Sequence, residues 1–148
     1  MEYSYNGIKE KVVESLNYIS LIAPCGMNCG ICMAYLRLIN KCLGCRGADT
    51  NKPVTRVKCK IKNCVMFQTS KAKYCFKCKN FPCDYLKHLD KRYRIKYNMS
   101  MIENLENINK LGIRKFIKNE KMKWGCPECG GTICVHKGYC YRCGKRKE

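Results

Sequence analysis

Two pairs of cysteines near the C-terminal end carry the clearest chemistry in this sequence. Cys126-Pro127-Glu128-Cys129-Gly130 and Cys140-Tyr141-Arg142-Cys143-Gly144 stand ten residues apart. Two Cys-x2-Cys pairs supply the four thiolates that a tetrahedral ion such as zinc takes at about 2.3 Å. A glycine after each second cysteine allows the tight turn that aims backbone N–H groups at sulfur. The pattern predicts a zinc ribbon over residues 124–148, with a strand from Thr132 to His136 and a turn at Lys137-Gly138. Two potential ligands in it are left over. Cys134 reads as a buried small residue and His136 as a surface imidazole.

Ten further cysteines lie between residues 25 and 83. They are Cys25, Cys29, Cys32, Cys42, Cys45, Cys59, Cys64, Cys75, Cys78 and Cys83, enough for two tetrahedral sites with two thiols to spare. The most regular partition puts Cys29, Cys32, Cys42 and Cys45 on one ion and Cys59, Cys64, Cys75 and Cys78 on another. Cys25 and Cys83 then remain as a surplus pair for metal or redox chemistry. A cross-braced partition fits the spacing equally well. Cys25-x3-Cys29-x2-Cys32 also has the spacing of a radical S-adenosylmethionine cluster motif, but the chain lacks the length and strand–helix alternation of such a barrel. The expected cofactor is zinc, about three ions per chain, with an iron–sulfur cluster in the N-terminal region as the alternative. Structural zinc contributes on the order of 10 kcal/mol per site.

The charged residues suggest a second chemistry. Between Ser15 and Cys83 there are twelve Lys or Arg and one acid, Asp49. Arg56, Lys58, Lys60 and Lys62 alternate with other residues, so a strand would set four cations on one face and Cys59 on the other. Lys71, Lys73, Lys77 and Lys79 repeat the spacing. Arg92 and Arg94 flank Tyr93, combining charge with a stacking ring. Such rows suit the phosphates of RNA or DNA. A competing reading is charge balance, because a four-thiolate zinc centre carries a net charge of −2. No Ser/His/Asp set, phosphate loop or paired-carboxylate motif is present, and His88 reads as a helix surface residue.

The formal charge of the 148-residue chain is +19, and three such zinc centres would bring it to about +13. Hydrophobic residues make up 46%, but that includes 15 cysteines. So thin an apolar supply implies that metal shares in holding the fold. Neither a signal peptide nor an apolar run long enough for a membrane span is visible, and the reading is a cytoplasmic protein with reduced thiols. The oligomeric state is not legible.

These residues need elements to position them. Ile8, Val12, Val13, Leu16 and Ile19 share one face of an expected helix. A short helix is expected over about Met33 to Ile39, and another beginning near Pro82 and running through Asp84 to Leu89. Ser100 and Glu103 form a capping box ahead of an apolar stripe of Met101, Ile102, Leu105, Ile108 and Leu111, which Gly112 ends. Ile113, Phe116 and Ile117 suggest a last helix leading to Trp124. The fold class is small α+β: a metal-stapled, cysteine-rich domain with short strands and helices over residues 1–99, a helical connector over 100–123, and a ribbon over 124–148.

Three motifs carry a family resemblance. Cys25-Gly26-Met27-Asn28-Cys29-Gly30-Ile31-Cys32, then Cys42-Leu43-Gly44-Cys45-Arg46, then Cys75-x2-Cys78-x2-Phe81-Pro82-Cys83 resemble a cysteine-rich bacterial and archaeal domain family of unknown function. The stretches from Arg92 to Glu106 and from Trp124 onward resemble its longer members. The resemblance implies metal binding and supplies no reaction, substrate or catalytic residue. The function expected is a zinc-binding module with nucleic acid as its partner; the alternative is an iron–sulfur or thiol-based redox or metal-handling protein.

Overall fold

The computed structural model describes residues 18–69 and 71–147. All but the last two residues of the helix expected over Ile8 to Ile19 lie outside them. After the helical residues 18–20, the described residues hold in chain order α1 (Met33–Leu36), α2 (Val54–Val57), α3 (Val65–Thr69), α4 (Asp84–Tyr97), α5 (Met101–Leu111) and α6 (Ile113–Trp124). Single 3-10 turns stand at Cys29–Ile31 and Cys75–Lys77. The cysteine-dense half thus holds only short elements, and the long helices begin where the cysteines stop.

α4 starts at Asp84 with Cys83 as its N-cap, and Asn98 ends it in the left-handed conformation. The backbone N–H of Glu103 donates to Ser100 Oγ at 3.0 Å, which caps α5 as the sequence implies. Ser100 Oγ also donates to the buried Asp90 of α4 at 2.6 Å, and the Ile102 N–H reaches the same carboxylate at 3.0 Å. One acid on α4 therefore serves the first turn of α5. Arg94, one turn along α4, holds the other Asp90 oxygen at 2.6 Å.

α5 packs between α4 and α6. Leu86 and Tyr93 of α4 and Met101 and Leu105 of α5 are buried in one cluster with Leu21, Ala23, Cys25 and Cys29. Burying each large apolar side chain favours the fold by about 1.5–3 kcal/mol. The same cluster takes in Trp124, Cys126, Ile133 and Val135, so the C-terminal segment shares the core of the cysteine-rich half. A smaller cluster joins Ile22 to Ile108, Phe116 and Ile117.

Two expectations are corrected. Arg56 to Lys62 is not a strand. Its first residues are the end of α2, with Pro53 as N-cap, and turns follow. Asn63 Nδ2 donates to the carbonyls of Val57 and Cys59 at 2.8 and 2.9 Å, a local side-chain closure that replaces a ladder. The segment from Thr132 to His136 is also not a continuous strand. Among the described residues β-pairing is confined to isolated bridges, including Gly125 with Thr132 and Ile133 with Cys140. The Val135 N–H leaves the C-terminal segment altogether and donates to Ile31 O at 2.9 Å. Among the described residues the α+β expectation gives way to helices, short in the cysteine-dense half and longer after it, with isolated bridges.

Candidate metal centre

The backbone builds the C-terminal cluster from two copies of one turn. The Gly130 N–H donates to Cys126 O, and the Gly144 N–H donates to Cys140 O, each at 2.9 Å. Both glycines have positive φ, 73° and 79°. The turns bring Cys126, Cys129, Cys140 and Cys143 together, with one sulfur from each within 4.8 Å of every other. Cys126 Sγ lies 3.6 Å from Cys143 Sγ, and Cys129 Sγ lies 3.5 Å from Cys140 Sγ. A disulfide would need about 2.05 Å, whereas four sulfurs around a tetrahedral ion stand about 3.8 Å apart. All fifteen thiols of the chain are free.

Backbone donors favour thiolate at this cluster. The Gly131 N–H points at Cys129 Sγ and the Arg142 N–H at Cys140 Sγ, both at 3.4 Å. The N–H groups of Cys143 and Arg142 bring the Cys140 thiol down to about 6 against the opposing effect of burial. At Cys129 the Gly131 N–H acts in the same direction, but burial and the neighbouring sulfurs outweigh it and push the thiol to about 12. Four crowded sulfurs cannot all ionise unless a cation neutralises them. Gly131 is required by close approach: a Cβ there would stand 3.0 Å from Cys140 Sγ and 3.2 Å from Cys129 Sγ. The donor set and spacing fit a metal ion.

Cys134 is fully buried, as the sequence reading has it. His136 is not a surface imidazole. It is half-buried, accepts from the Met33 N–H at 3.3 Å through Nδ1, and meets Tyr93 Oη at 2.9 Å through Nε2. Tyr93 Oη also accepts from Arg56 at 3.2 Å. Burial, then the Arg56 and Lys137 charges, hold the imidazole below its ordinary range and keep it neutral. This chain from α2 through α4 to the C-terminal segment has no sequence signature, because its members are 37 and 43 residues apart.

Among the described residues, no three of the ten N-terminal cysteines bring their sulfurs within 4.8 Å of one another. Cys29 and Cys45 are neighbouring thiols. Cys32 is the N-cap of α1, and the Tyr35 N–H donates to its carbonyl at 3.1 Å. The buried Cys25 has Cys45 and Cys59 as thiol neighbours, and burial first and those sulfurs next push it up to about 12. Cys42 neighbours Cys32. Cys64, Cys75, Cys78 and Cys83 line one small cavity.

The cations do not share a face. Arg56 is half-buried and engaged with Tyr93. Lys62 is bound to Asp49 at 2.6 Å, an acid that also holds the buried Lys52. Lys58, Lys60 and Arg92 are exposed; Arg94 is exposed and paired with Asp90. Tyr93 is buried and cannot stack on a base.

Comparison with known proteins covers the cysteine-rich half. Residues 21–88 match a family described as a protein of unknown function, DUF3795. The match bears out the resemblance to a cysteine-rich domain of unknown function, and it ends before the C-terminal cluster. No curated protein and no solved structure matches the chain.

Proposed function

We propose that this protein is a zinc-binding module whose C-terminal cysteines form a zinc ribbon, and that its basic surface takes a polyanion, nucleic acid being the class it fits. The observation carrying the metal assignment is the convergence of Cys126, Cys129, Cys140 and Cys143 on one point. Four thiolates with backbone N–H support suit zinc, which has no geometric demand beyond a tetrahedron of soft donors. The ion would staple the C-terminal segment to the helices through Trp124, whose ring lies under Lys147 at 4.4 Å. The polyanion reading is supported by the charge of +19 and by Lys58, Lys60 and Arg92 facing solvent. No helix among the described residues is long and apolar enough to cross a membrane.

Elemental analysis and an absorption spectrum after anaerobic purification test the metal assignment. The expected result is a colourless protein that loses one zinc per chain on Cys143→Ser. Iron with inorganic sulfide, or unchanged zinc in that variant, would defeat it.

A further inference from the structure

Four further cysteines share the lining of one small, partly open pocket, although no three of their sulfurs stand within 4.8 Å of one another. Cys64, Cys75, Cys78 and Cys83 all line a space of about 40 Å³. That volume is near the share of a single water molecule and far below the few hundred Å³ that an organic ligand needs. Its other walls include Ile61, Phe67, Phe81 and Leu86. A water needs two to four polar partners, and these walls offer little besides sulfur. A soft metal ion is the species that such a chamber suits.

The local backbone resembles that of another Cys-x2-Cys pair in the chain. Cys75 opens a 3-10 turn and the Cys78 N–H returns to Cys75 O at 3.0 Å, with φ −77° and ψ 138° at Cys78. Cys29 and Cys32 do the same at 3.1 Å, with φ −79° and ψ 138° at Cys32. The remaining two sulfurs come from element starts. Cys64 directly precedes α3, and Cys83 is the N-cap of the 14-residue α4.

Three features set the membership. The Cys75 N–H donates to Pro24 O at 2.9 Å, which puts Cys75 beside Cys25. Cys25 nevertheless does not line the cavity, and its thiol neighbours include Cys45 and Cys59. The Cys75 thiol is pushed above its ordinary range by burial, then by Cys25, Cys83, Cys64 and Cys78. Lys60, which also lines the cavity, and the exposed Lys77 and Lys79 supply positive charge around a centre of net −2.

We infer that Cys64, Cys75, Cys78 and Cys83 form a second structural metal site, taking a soft divalent ion such as zinc. Cys83 is a ligand rather than a surplus thiol. The site is independent of the C-terminal cluster and stands or falls separately from it.

Zinc content of the full-length chain and its variants tests the assignment. Cys64→Ser and Cys83→Ser should each lose one ion. The double variant C64S/C83S should lose no more than either alone, whereas C83S/C143S should lose two. No loss in Cys83→Ser, or two ions lost from C64S/C83S, overturns the inference. Should a substitution unfold the chain, alkylation of the unaltered zinc-loaded protein decides. Cys64, Cys75, Cys78 and Cys83 should be protected together and become reactive in step as chelator withdraws one ion. Modification of Cys83 while the other three stay protected overturns the site.

Discussion

Glu120 of α6 shows how much one buried group can reveal. Its carboxylate is buried and accepts from Asn28 Nδ2 at 3.2 Å across 92 residues of sequence. Burial raises its pKa, and Asn28, Lys123, Trp124 and Lys147 offset that only in part. A carboxyl whose folded pKa exceeds its unfolded one favours the fold in its protonated form. That contribution is present below the unfolded pKa and is lost as pH rises through the folded value. Glu120→Gln should therefore raise stability at neutral pH by about 1 kcal/mol while keeping the Asn28 bond. Denaturant melts across pH check this: the gain should shrink toward zero in acid, and a gain that is constant with pH would contradict it. Asp90 has the opposite sign. Burial raises its pKa, but Ser100, the Ile102 N–H and Arg94 together bring it below the ordinary range. Its contribution is present above the unfolded pKa and fades as pH falls through the folded one. Neither residue is distinctive in the sequence, because each owes its state to partners that only the folded chain supplies.

The elements divide by how local their instructions are. α5 was legible: its cap, its apolar stripe and its terminating glycine all lie within one short window. The Arg56 to Lys62 stretch was misread because alternation signals a strand only when a neighbouring strand exists to pair with it. Here Pro53 and the Asn63 amide close the backbone on itself. The convergence of the four C-terminal cysteines was legible because two identical pairs leave one economical arrangement. The ten N-terminal cysteines were not, since several partitions satisfy the same spacing and only packing chooses among them. One packing contact explains a glycine in the first cysteine motif. Gly26 has φ 88°, and a Cβ there would meet Met101 O at 2.8 Å and Leu105 Cγ at 2.9 Å. α5 thus rests directly on this backbone, and Asn104 Nδ2 binds Gly26 O at 3.0 Å. Gly26→Ala should cost roughly 2–4 kcal/mol, combining left-handed strain with a collision in the core. Gly112→Ala is the comparison: with φ 84°, ψ 157° and nothing within 4 Å of the added carbon, it should show backbone strain alone, about 1–3 kcal/mol, without the collision. Equal losses of stability in chemical denaturation would remove Gly26 as the seat of α5.

At the scale of the whole molecule, net charge and metal sites are coupled. On the proposed metal reading each four-thiolate centre would carry a net −2, so part of the positive charge would serve as its counter-charge. The remainder is free to meet a polyanion only where side chains have no internal duty. That condition sorts the six cations singled out by spacing. Arg56 is tied to Tyr93, Lys62 to Asp49 and Arg94 to Asp90. Lys58 and Arg92 face solvent, and Lys60 is exposed with its ammonium over the Tyr85 ring at 5.0 Å. A cation that neutralises a phosphate releases a counterion, and for a single strand each contact adds about 0.7 to the slope of log affinity against log salt. The variant K58E/K60E should lower that slope by about 1.4 if both residues touch phosphate. Fluorescence anisotropy with single-stranded RNA or DNA, titrated across salt concentrations, measures it. Arg56→Ala should behave differently, leaving the slope unchanged while lowering stability, because it removes a donor from the buried Tyr93–His136 chain. An unaltered slope in K58E/K60E, or no binding at low salt, would leave the lysines with the metal centres as their sole partners. In that outcome the basic surface balances thiolates and the nucleic-acid reading is withdrawn.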